Sequence, residues 1–307
     1  MHIPNGFLDG KTIVSTTAVS AGFLTYAVRR SKEALRDKYI PLIGVTAAFI
    51  FAAQMLNFPI AGGTSGHFMG AAFAVIVAGP YAGALILALV IALQCLIFQD
   101  GGLTALGANI LNMAIIAPLF AYAVFKGVNK LGNNNIIKNT SIFLSGMIAV
   151  VAASAFASIE LAASGRIAFN IVFPAMTGVH ILIGITEGLL TVGAIAMITR
   201  LKPDILNASR EKLRPVAVSL LGISAIILLI TPFASSSPDG MEKVAIVKGF
   251  FSKSLPPSYA TFFSDYKIPA LSGSASTILA GLAGAVAVVL LTYGALLLIK
   301  GANADGP

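Results

Sequence analysis

Residues 141–163 read Ser-Ile-Phe-Leu-Ser-Gly-Met-Ile-Ala-Val-Val-Ala-Ala-Ser-Ala-Phe-Ala-Ser-Ile-Glu-Leu-Ala-Ala, and Glu160 is the single charged residue in this stretch. A helix of about 20 apolar residues is long enough to cross the hydrocarbon core of a bilayer. The whole chain has the same character, with 57% hydrophobic and 10% charged residues and a mean hydropathy of +0.91. Soluble domains carry about 25% charged residues. The composition therefore predicts an all-α integral membrane protein.

Eight further apolar segments accompany this stretch, so the chain of 307 residues is predicted to form a helix bundle of about nine spans. They are residues 12–28, 40–57, 68–78, 82–98, 103–125, 173–199, 215–233 and 275–299. Segment 68–78 is short for a crossing unless it is tilted or packed inside the bundle. Residues 234–273 contain serine, proline and lysine with few long apolar runs, and they predict a small extracytoplasmic domain between the last two spans.

The distribution of basic residues orients these spans. When the N-terminus is placed outside, the inner loops hold 14 of the 20 lysine and arginine residues. The positive-inside rule therefore predicts nine crossings with an extracytoplasmic N-terminus and a cytoplasmic C-terminus. These loops also account for most of the net charge of +8, so no nucleic-acid partner is predicted.

The N-terminal segment begins Met1-His2-Ile3-Pro4-Asn5, without the basic and cleavable apolar regions of a signal peptide. If Met1 remains the first residue, three nitrogens lie close together: the α-amine, the His2 amide and the His2 imidazole. Chelation through the amine and amide closes a five-membered ring, and chelation through the amide and Nδ1 closes a six-membered ring. Such a planar clip leaves one in-plane position open and suits Ni(II) or Cu(II). The alternative is a solvated terminal histidine.

His67 is the candidate for the open position. It follows the run Gly62-Gly63-Thr64-Ser65-Gly66, in which the glycines allow the backbone to approach another segment closely. The predicted orientation places this loop and the N-terminus on the same, outer side of the membrane. The His67 imidazole can then supply a fourth nitrogen, although a loop histidine bonded to a carbonyl remains the alternative.

Two ionisable residues, His180 and Glu187, lie within the predicted span 173–199 and share one helix face. An ionisable group in hydrocarbon is costly unless it is paired or functional. We expect them to orient His2 or His67, to accept a proton, or to hold helices together, with Glu160 as a candidate partner. They also support an alternative function, a secondary ion carrier or channel in which they form a relay.

Four other polar residues are candidates for supporting the N-terminal site. Asp9 can accept a hydrogen bond from an imidazole N–H, or it can cap a helix. Asn57, Asn109 and Asn112 lie near span ends or within spans, where each can brace the N-terminal loop or serve as structural glue.

No motif in the sequence predicts an enzyme. There is no G-x-x-x-x-G-K-[ST] phosphate loop, so the chain is not expected to bind ATP by that route. There is also no H-E-x-x-H or C-x-x-C motif. Cys95 is the only cysteine, which excludes a disulfide framework and a thiolate cluster.

Three stretches resemble the CbiM/NikM family: the Met-His-Ile-Pro opening, the Gly-Gly-Thr-Ser-Gly-His67 loop, and His180-x-x-x-Gly184-x-x-Glu187-Gly188. This family comprises the substrate-binding (S) components of energy-coupling-factor (ECF) transporters for nickel and cobalt. The resemblance covers residues 1–215, which would hold seven spans. Residues 238–243, Pro-Asp-Gly-Met-Glu-Lys, resemble the Pro-Asp-Gly-Leu-Glu signature of the NikN/PDGLE-type accessory component. Residues 216–307 are therefore predicted to be a fused accessory part with two spans.

The resemblance implies a metal site made of the Met1 amine, the His2 amide and imidazole, and the matching loop histidine, His67. Asn5 stands where many relatives carry an acid. The resemblance also implies a prokaryotic cell membrane, a transmembrane coupling (T) component, and ATP-binding cassette ATPases that hydrolyse the ATP. The transported substrate would be Ni²⁺ or Co²⁺, and planar nitrogen coordination favours nickel. Because ligand nitrogens must lose protons, uptake is expected to weaken in acid.

Overall fold

The computed structural model describes residues 1–31, 40–201, 214–257 and 259–304, and most of them are helical. The helices are α1 Gly10–Arg30, α2 Ile40–Met55, α3 Ala71–Ala78, α4 Pro80–Leu93, α5 Leu106–Asn109, α6 Ala117–Asn129, α7 Asn135–Ala163, α8 Phe169–Leu201, α9 Arg214–Ile230, α10 Gly240–Val247 and α11 Ser274–Ala304. Strands β1 Phe58–Ile60 and β2 Thr64–Gly66 pair antiparallel. A π-helical segment, Gln94–Phe98, continues α4, and another, Ile110–Ile116, joins α5 to α6. The predicted all-α fold is confirmed.

Six helical stretches among the described residues are long and apolar enough to cross a membrane. They are Pro80–Phe98, Leu106–Asn129, Asn135–Ala163, Phe169–Arg200, Val216–Phe233 and Ser274–Ala295. The predicted count of nine spans is not confirmed. Much of the basic charge used to orient the spans falls in residues 32–39 and 202–213, which lie outside the described residues.

The three remaining predicted spans fall short for identifiable reasons. Helix α3 has 8 residues and α2 has 16. At 1.5 Å per residue they measure about 12 Å and 24 Å, against a hydrocarbon core of about 30 Å. Helix α1 has 21 residues, but six of them are serine or threonine. Several of these hydroxyls are bonded within the fold: Thr16 donates to Thr12 O and Ser20 donates to Gly107 O, each at 2.7 Å.

Close packing of α7 against α8 fixes the helix that carries His180 and Glu187. A Cβ atom added to Gly188 would lie 2.6 Å from Phe143 O, and one added to Gly184 would lie 2.9 Å from Met147 O. Small residues at these positions let the two helices touch backbone to backbone, as is usual for helix pairs in lipid.

The C-terminal part joins the bundle through α2 and then covers one end of it. Helices α9 and α11 both pack against α2. The connection between them contains α10 and lies against the N-terminal segment, where Leu255 N donates to Asn5 O at 2.9 Å. It also contacts the β1–β2 hairpin, since Ser65 N donates to Pro238 O at 2.8 Å.

Candidate metal centre

The N-terminal segment is buried in the end of the bundle, with Met1 6% and Ile3 0% exposed. Asn109 holds it by a two-point amide contact: its Oδ1 accepts from Ile3 N at 2.7 Å and its Nδ2 donates to Ile3 O at 3.1 Å. Gly102 N also donates to Ile3 O, at 2.8 Å. Because a buried apolar side chain and three hydrogen bonds fix residue 3, the two residues before it have a defined position.

The Met1 amine and His67 meet inside this end. The amine nitrogen lies 2.8 Å from His67 Nε2. Metal–nitrogen bonds of about 2.0 Å place two neighbouring nitrogens of a planar site about 2.8 Å apart. The His2 and His67 rings are almost parallel, at 11°, with centroids 5.5 Å apart. The structure therefore brings Met1, His2 and His67 together.

The His2 ring bonds to a carboxylate. Its Nδ1 lies 3.0 Å from Asp100 Oδ1, and Tyr266 OH donates to Asp100 Oδ2 at 2.6 Å. The His2 Nε2 atom is buried and has no hydrogen-bond partner among the described residues. With this orientation the chelate through the His2 amide and Nδ1 is not formed. A half-turn of the ring would free Nδ1 and move Nε2 to the Asp100 side.

A second carboxylate, Asp239 of the C-terminal part, reaches the amine. Its Oδ2 lies 3.2 Å from the Met1 nitrogen. Burial raises the pKa of Asp239, but the Met1 ammonium and the Glu242 backbone N–H outweigh this effect and lower the pKa to about 2. Burial, followed by repulsion from the amine, holds the pKa of His67 well below its usual range. The centre thus places an imidazole and a carboxylate around the charged Met1 amine.

The loop that carries His67 is held by a residue from within the bundle. Gly62 and Gly63, with φ of +85° and +67°, form the turn of the β1–β2 hairpin. Beyond His67 the backbone is buried but not helical, and Glu187 satisfies it: Met69 N donates to Oε2 at 2.7 Å and Gly70 N donates to Oε1 at 2.8 Å. Buried irregular backbone in a membrane protein requires such partners.

Comparison with known proteins places this centre in a family. Residues 2–205 match CbiM, described as a cobalt uptake substrate-specific transmembrane region. The chain belongs to the CbiM family. Residues 214–301 match the PDGLE domain. Six candidate spans lie among the described residues, so this CbiM protein is a multi-pass membrane protein.

The relatives of this CbiM chain are metal transporters. The fused protein NikMN of Archaeoglobus fulgidus, which is named as a nickel transport protein, is 37% identical over 300 residues, 95% of this chain and 97% of that one. The fused nickel transport protein NikMN of Rhodobacter capsulatus is 32% identical over 250 residues, 75% of this chain and 71% of that one. The crystal structure of a truncated transition metal transporter is similar with a TM-score of 0.59 and 32% identity, covering 65% of this chain and 99% of that one.

Replacement of Glu187 should weaken metal binding by the CbiM part. Glutamine offers one carbonyl oxygen, so in Glu187→Gln one of the two N–H donors at Met69 and Gly70 would face an NH₂ group. We expect nickel affinity to fall about tenfold to a hundredfold and the free energy of unfolding to fall by about 1–3 kcal/mol. Titration calorimetry with NiCl₂ and thermal unfolding measure the two effects.

Glu160→Gln is the matched control, because Glu160 is also a buried carboxylate of a long helix. It accepts a hydrogen bond from Asn112 Nδ2 at 2.7 Å and contacts none of the three candidate ligands through a hydrogen bond. Nickel affinity should be unchanged in this variant. Unchanged affinity in Glu187→Gln as well would contradict the orienting role.

His180 lies beside the centre but is not joined to Glu187. Its Nδ1 donates to Met176 O at 2.7 Å, and the ring helps to line a small cavity shared with Met1 and His67. Among the described residues no hydrogen bond links His180 to Glu187, although both share one face of α8 as predicted.

The other predicted supporting residues have local roles in this CbiM structure. Asp9 caps α1, accepting from Thr12 N at 3.0 Å and from Ser164 Oγ at 3.3 Å, which is the alternative that the sequence left open. Asn57 contributes a backbone oxygen, which accepts from Ser235 N at 2.8 Å.

The sequence did not point to Asp100 or Asp239 as residues of the centre. Asp100 belongs to the Gln99-Asp100-Gly101-Gly102 turn, and Asp239 belongs to the accessory signature. The one usable signal was their position in outer loops of the predicted topology, on the same side as His2.

Proposed function

We propose that this chain captures Ni²⁺, or alternatively Co²⁺, from outside the cell as the S component of an ECF-type uptake transporter. The observation that carries the proposal is the 2.8 Å separation between the Met1 amine nitrogen and His67 Nε2. Membership of the CbiM family and relatives named as nickel transport proteins support the choice of substrate. As a CbiM/NikM-type protein, the chain serves nickel or cobalt transport.

The ligand set would be the Met1 amine, the His2 amide and Nδ1, and His67 Nε2. The amine and His67 already have the spacing of neighbouring ligands. His2 would complete the set by the half-turn that releases Nδ1 from Asp100, whose carboxylate could then accept from Nε2–H. A carboxylate bonded to the outer nitrogen of a ligating imidazole orients the ring and raises its basicity.

Binding would expel protons, because the amine must be neutral and the His2 amide must be deprotonated. His67 contributes no proton above its lowered pKa. Capture should therefore weaken as the pH falls, since protons compete for the amine and the amide.

Transport inward would be driven by partners. The sequence lacks a phosphate loop, so we assign ATP hydrolysis to ATP-binding cassette subunits that act through a transmembrane T component. The proposal includes a prokaryotic cell membrane, an extracytoplasmic N-terminus, a cytoplasmic C-terminus, and the division into a core of residues 1–215 and an accessory part of residues 216–307.

Nickel bound in this set should be planar and diamagnetic, because four in-plane nitrogens favour the low-spin d⁸ ion. We expect the purified full chain to bind one Ni²⁺ per protein, with the visible absorption of planar nickel and no paramagnetic susceptibility. Co²⁺ measured in parallel should bind more weakly. A paramagnetic, six-coordinate nickel spectrum would contradict the planar site.

A further inference from the structure

Asp239 stands between two cavities at the outer end of the bundle. The larger has a volume of about 390 Å³ and lies between the N-terminal segment, the 99–102 turn and the C-terminal part. The smaller, of about 10 Å³, is lined by Met1, His67 and His180 among others. Among the described residues that line these cavities, Asp239 is the one that lines both.

The larger cavity, here called the outer cavity, is acidic. Its walls include Asp100, Asp239, Glu242 and Asp265, and no lysine or arginine is among its described lining residues. A concave surface of one charge sign concentrates counter-ions. A divalent ion with six waters occupies roughly 180 Å³ at about 30 Å³ per water, so the outer cavity has room for a hydrated ion.

An unpaired metal-binding group lies at the inner wall. His2 lines the outer cavity, is only 8% exposed, and its Nε2 has no hydrogen-bond partner among the described residues. Buried polar atoms normally have partners. An unpartnered imidazole nitrogen on a buried side chain that lines the same cavity as four carboxylates is therefore an independent indication that a cation visits this cavity.

One carboxylate oxygen of Asp239 is held by the fold, and the other is directed toward the metal centre. Its Oδ1 caps α10 by accepting from Glu242 N at 2.8 Å, which leaves Oδ2 directed at the Met1 amine. The preceding residue is tied to the hairpin by the hydrogen bond from Ser65 N to Pro238 O. The following residue, Gly240, packs so closely that an added Cβ would lie 3.0 Å from His180 Cε1.

We propose that the outer cavity is the access route for the hydrated divalent ion, and that Asp239 passes the ion from this cavity to the nitrogen ligands. This inference rests on the proposed function. The ion would exchange one water for Asp239 Oδ2, and the displaced water would return to the outer cavity. The Met1 amine, 3.2 Å from that oxygen, would take the ion next. The C-terminal part thereby forms one wall of the route.

The test measures the rate at which the full chain in detergent binds nickel from NiCl₂. Stopped-flow absorbance of the planar complex monitors the binding. Asp239→Asn retains the helix cap and removes the charge. We expect its association rate constant to fall at least about tenfold, as loss of electrostatic steering allows. Because Asp239 belongs to the route and not to the final ligand set, the dissociation rate should fall in parallel.

Asp9→Asn is the matched control, since Asp9 also caps a helix but lines neither cavity. Its rates should equal those of the wild type. Glu242→Gln and Asp265→Asn should slow association about twofold to threefold at low ionic strength, and high salt should abolish the difference. If Asp239→Asn unfolds early on heating, Asp239→Ser, which also caps, takes its place.

Two results would overturn the access route. One is association at the wild-type rate in Asp239→Asn. The other is weaker binding that comes only from faster dissociation, which would make Asp239 a support of the bound ion. Failure of the proposed function would look different, because nickel binding would then survive the addition of two residues before Met1.

Discussion

Extension of the chain by two residues before Met1 should abolish nickel binding and nickel uptake. The added residues convert the Met1 amine into an amide, whose nitrogen can bind nickel only after it loses its proton, and this weakens the five-membered chelate. The cavity beside Met1 holds at most about one water, so the extension also has no space to occupy. We expect affinity to fall beyond the tenfold to hundredfold range typical of residues that only support ligands. Titration with NiCl₂ and uptake of radioactive nickel by cells that also express the coupling partners measure the effect.

Two controls separate loss of the ligand from loss of the fold. The same two residues added after Pro307 should leave binding unchanged. A cleavable N-terminal fusion should bind nickel only after a protease has restored Met1 as the first residue. Full binding by the uncleaved fusion would show that the amine is not a ligand.

Removal of the His67 imidazole should have the second largest effect. In His67→Ala the Met1 amine, the His2 amide and the His2 imidazole would still bind the ion, and water would take the fourth position. This complex would be weaker. We expect nickel affinity to fall at least about a hundredfold, beyond the losses caused by residues that only support ligands. Millimolar imidazole should partly restore the planar absorption, because it can fill the vacated position.

His180→Gln distinguishes this site from the relay of a secondary carrier. His180 donates to Met176 O and lines the small cavity, but it is outside the proposed ligand set. The metal centre predicts that His180→Gln retains planar nickel binding and that His67→Ala loses it. A relay predicts the opposite order for transport. Loss of uptake in His180→Gln together with normal uptake in His67→Ala would therefore favour the secondary carrier.

The two longest helices of the core were predictable from hydropathy. Residues 141–163 and 173–199 were predicted as spans, and the structure has α7 at Asn135–Ala163 and α8 at Phe169–Leu201. Both helices are longer than the predicted spans, because backbone hydrogen bonding continues past the apolar residues into the polar ends. Helix α1 shows the opposite case, since its serine and threonine side chains make it a poor span by hydropathy although it is a regular helix of 21 residues.

The contacts within the centre could not be predicted from one sequence. The contact between Met1 and Asp239 joins residues more than 200 positions apart in the chain, and no local pattern encodes it. For Glu187 the sequence left three roles open: orienting His2 or His67, accepting a proton, or holding helices together. It gave no sign of the partners seen in the structure, the backbone N–H groups of Met69 and Gly70, because these carry no side-chain signal. Asp9 had two possible partners, an imidazole N–H and a helix N-terminus. The N-terminus of α1 engages its carboxylate, through Thr12 N.

The hydrogen bonds from Ser65 to residues 237 and 238 have a consequence for the covalent union of the two parts. On separate chains, the occupancy of this contact would depend on the abundance of each protein. Linkage on one chain replaces abundance with an effective concentration, which for linked modules can reach about millimolar. Supply of the two parts is then fixed at one to one, and the contact stays formed whether the cell makes few copies of the protein or many.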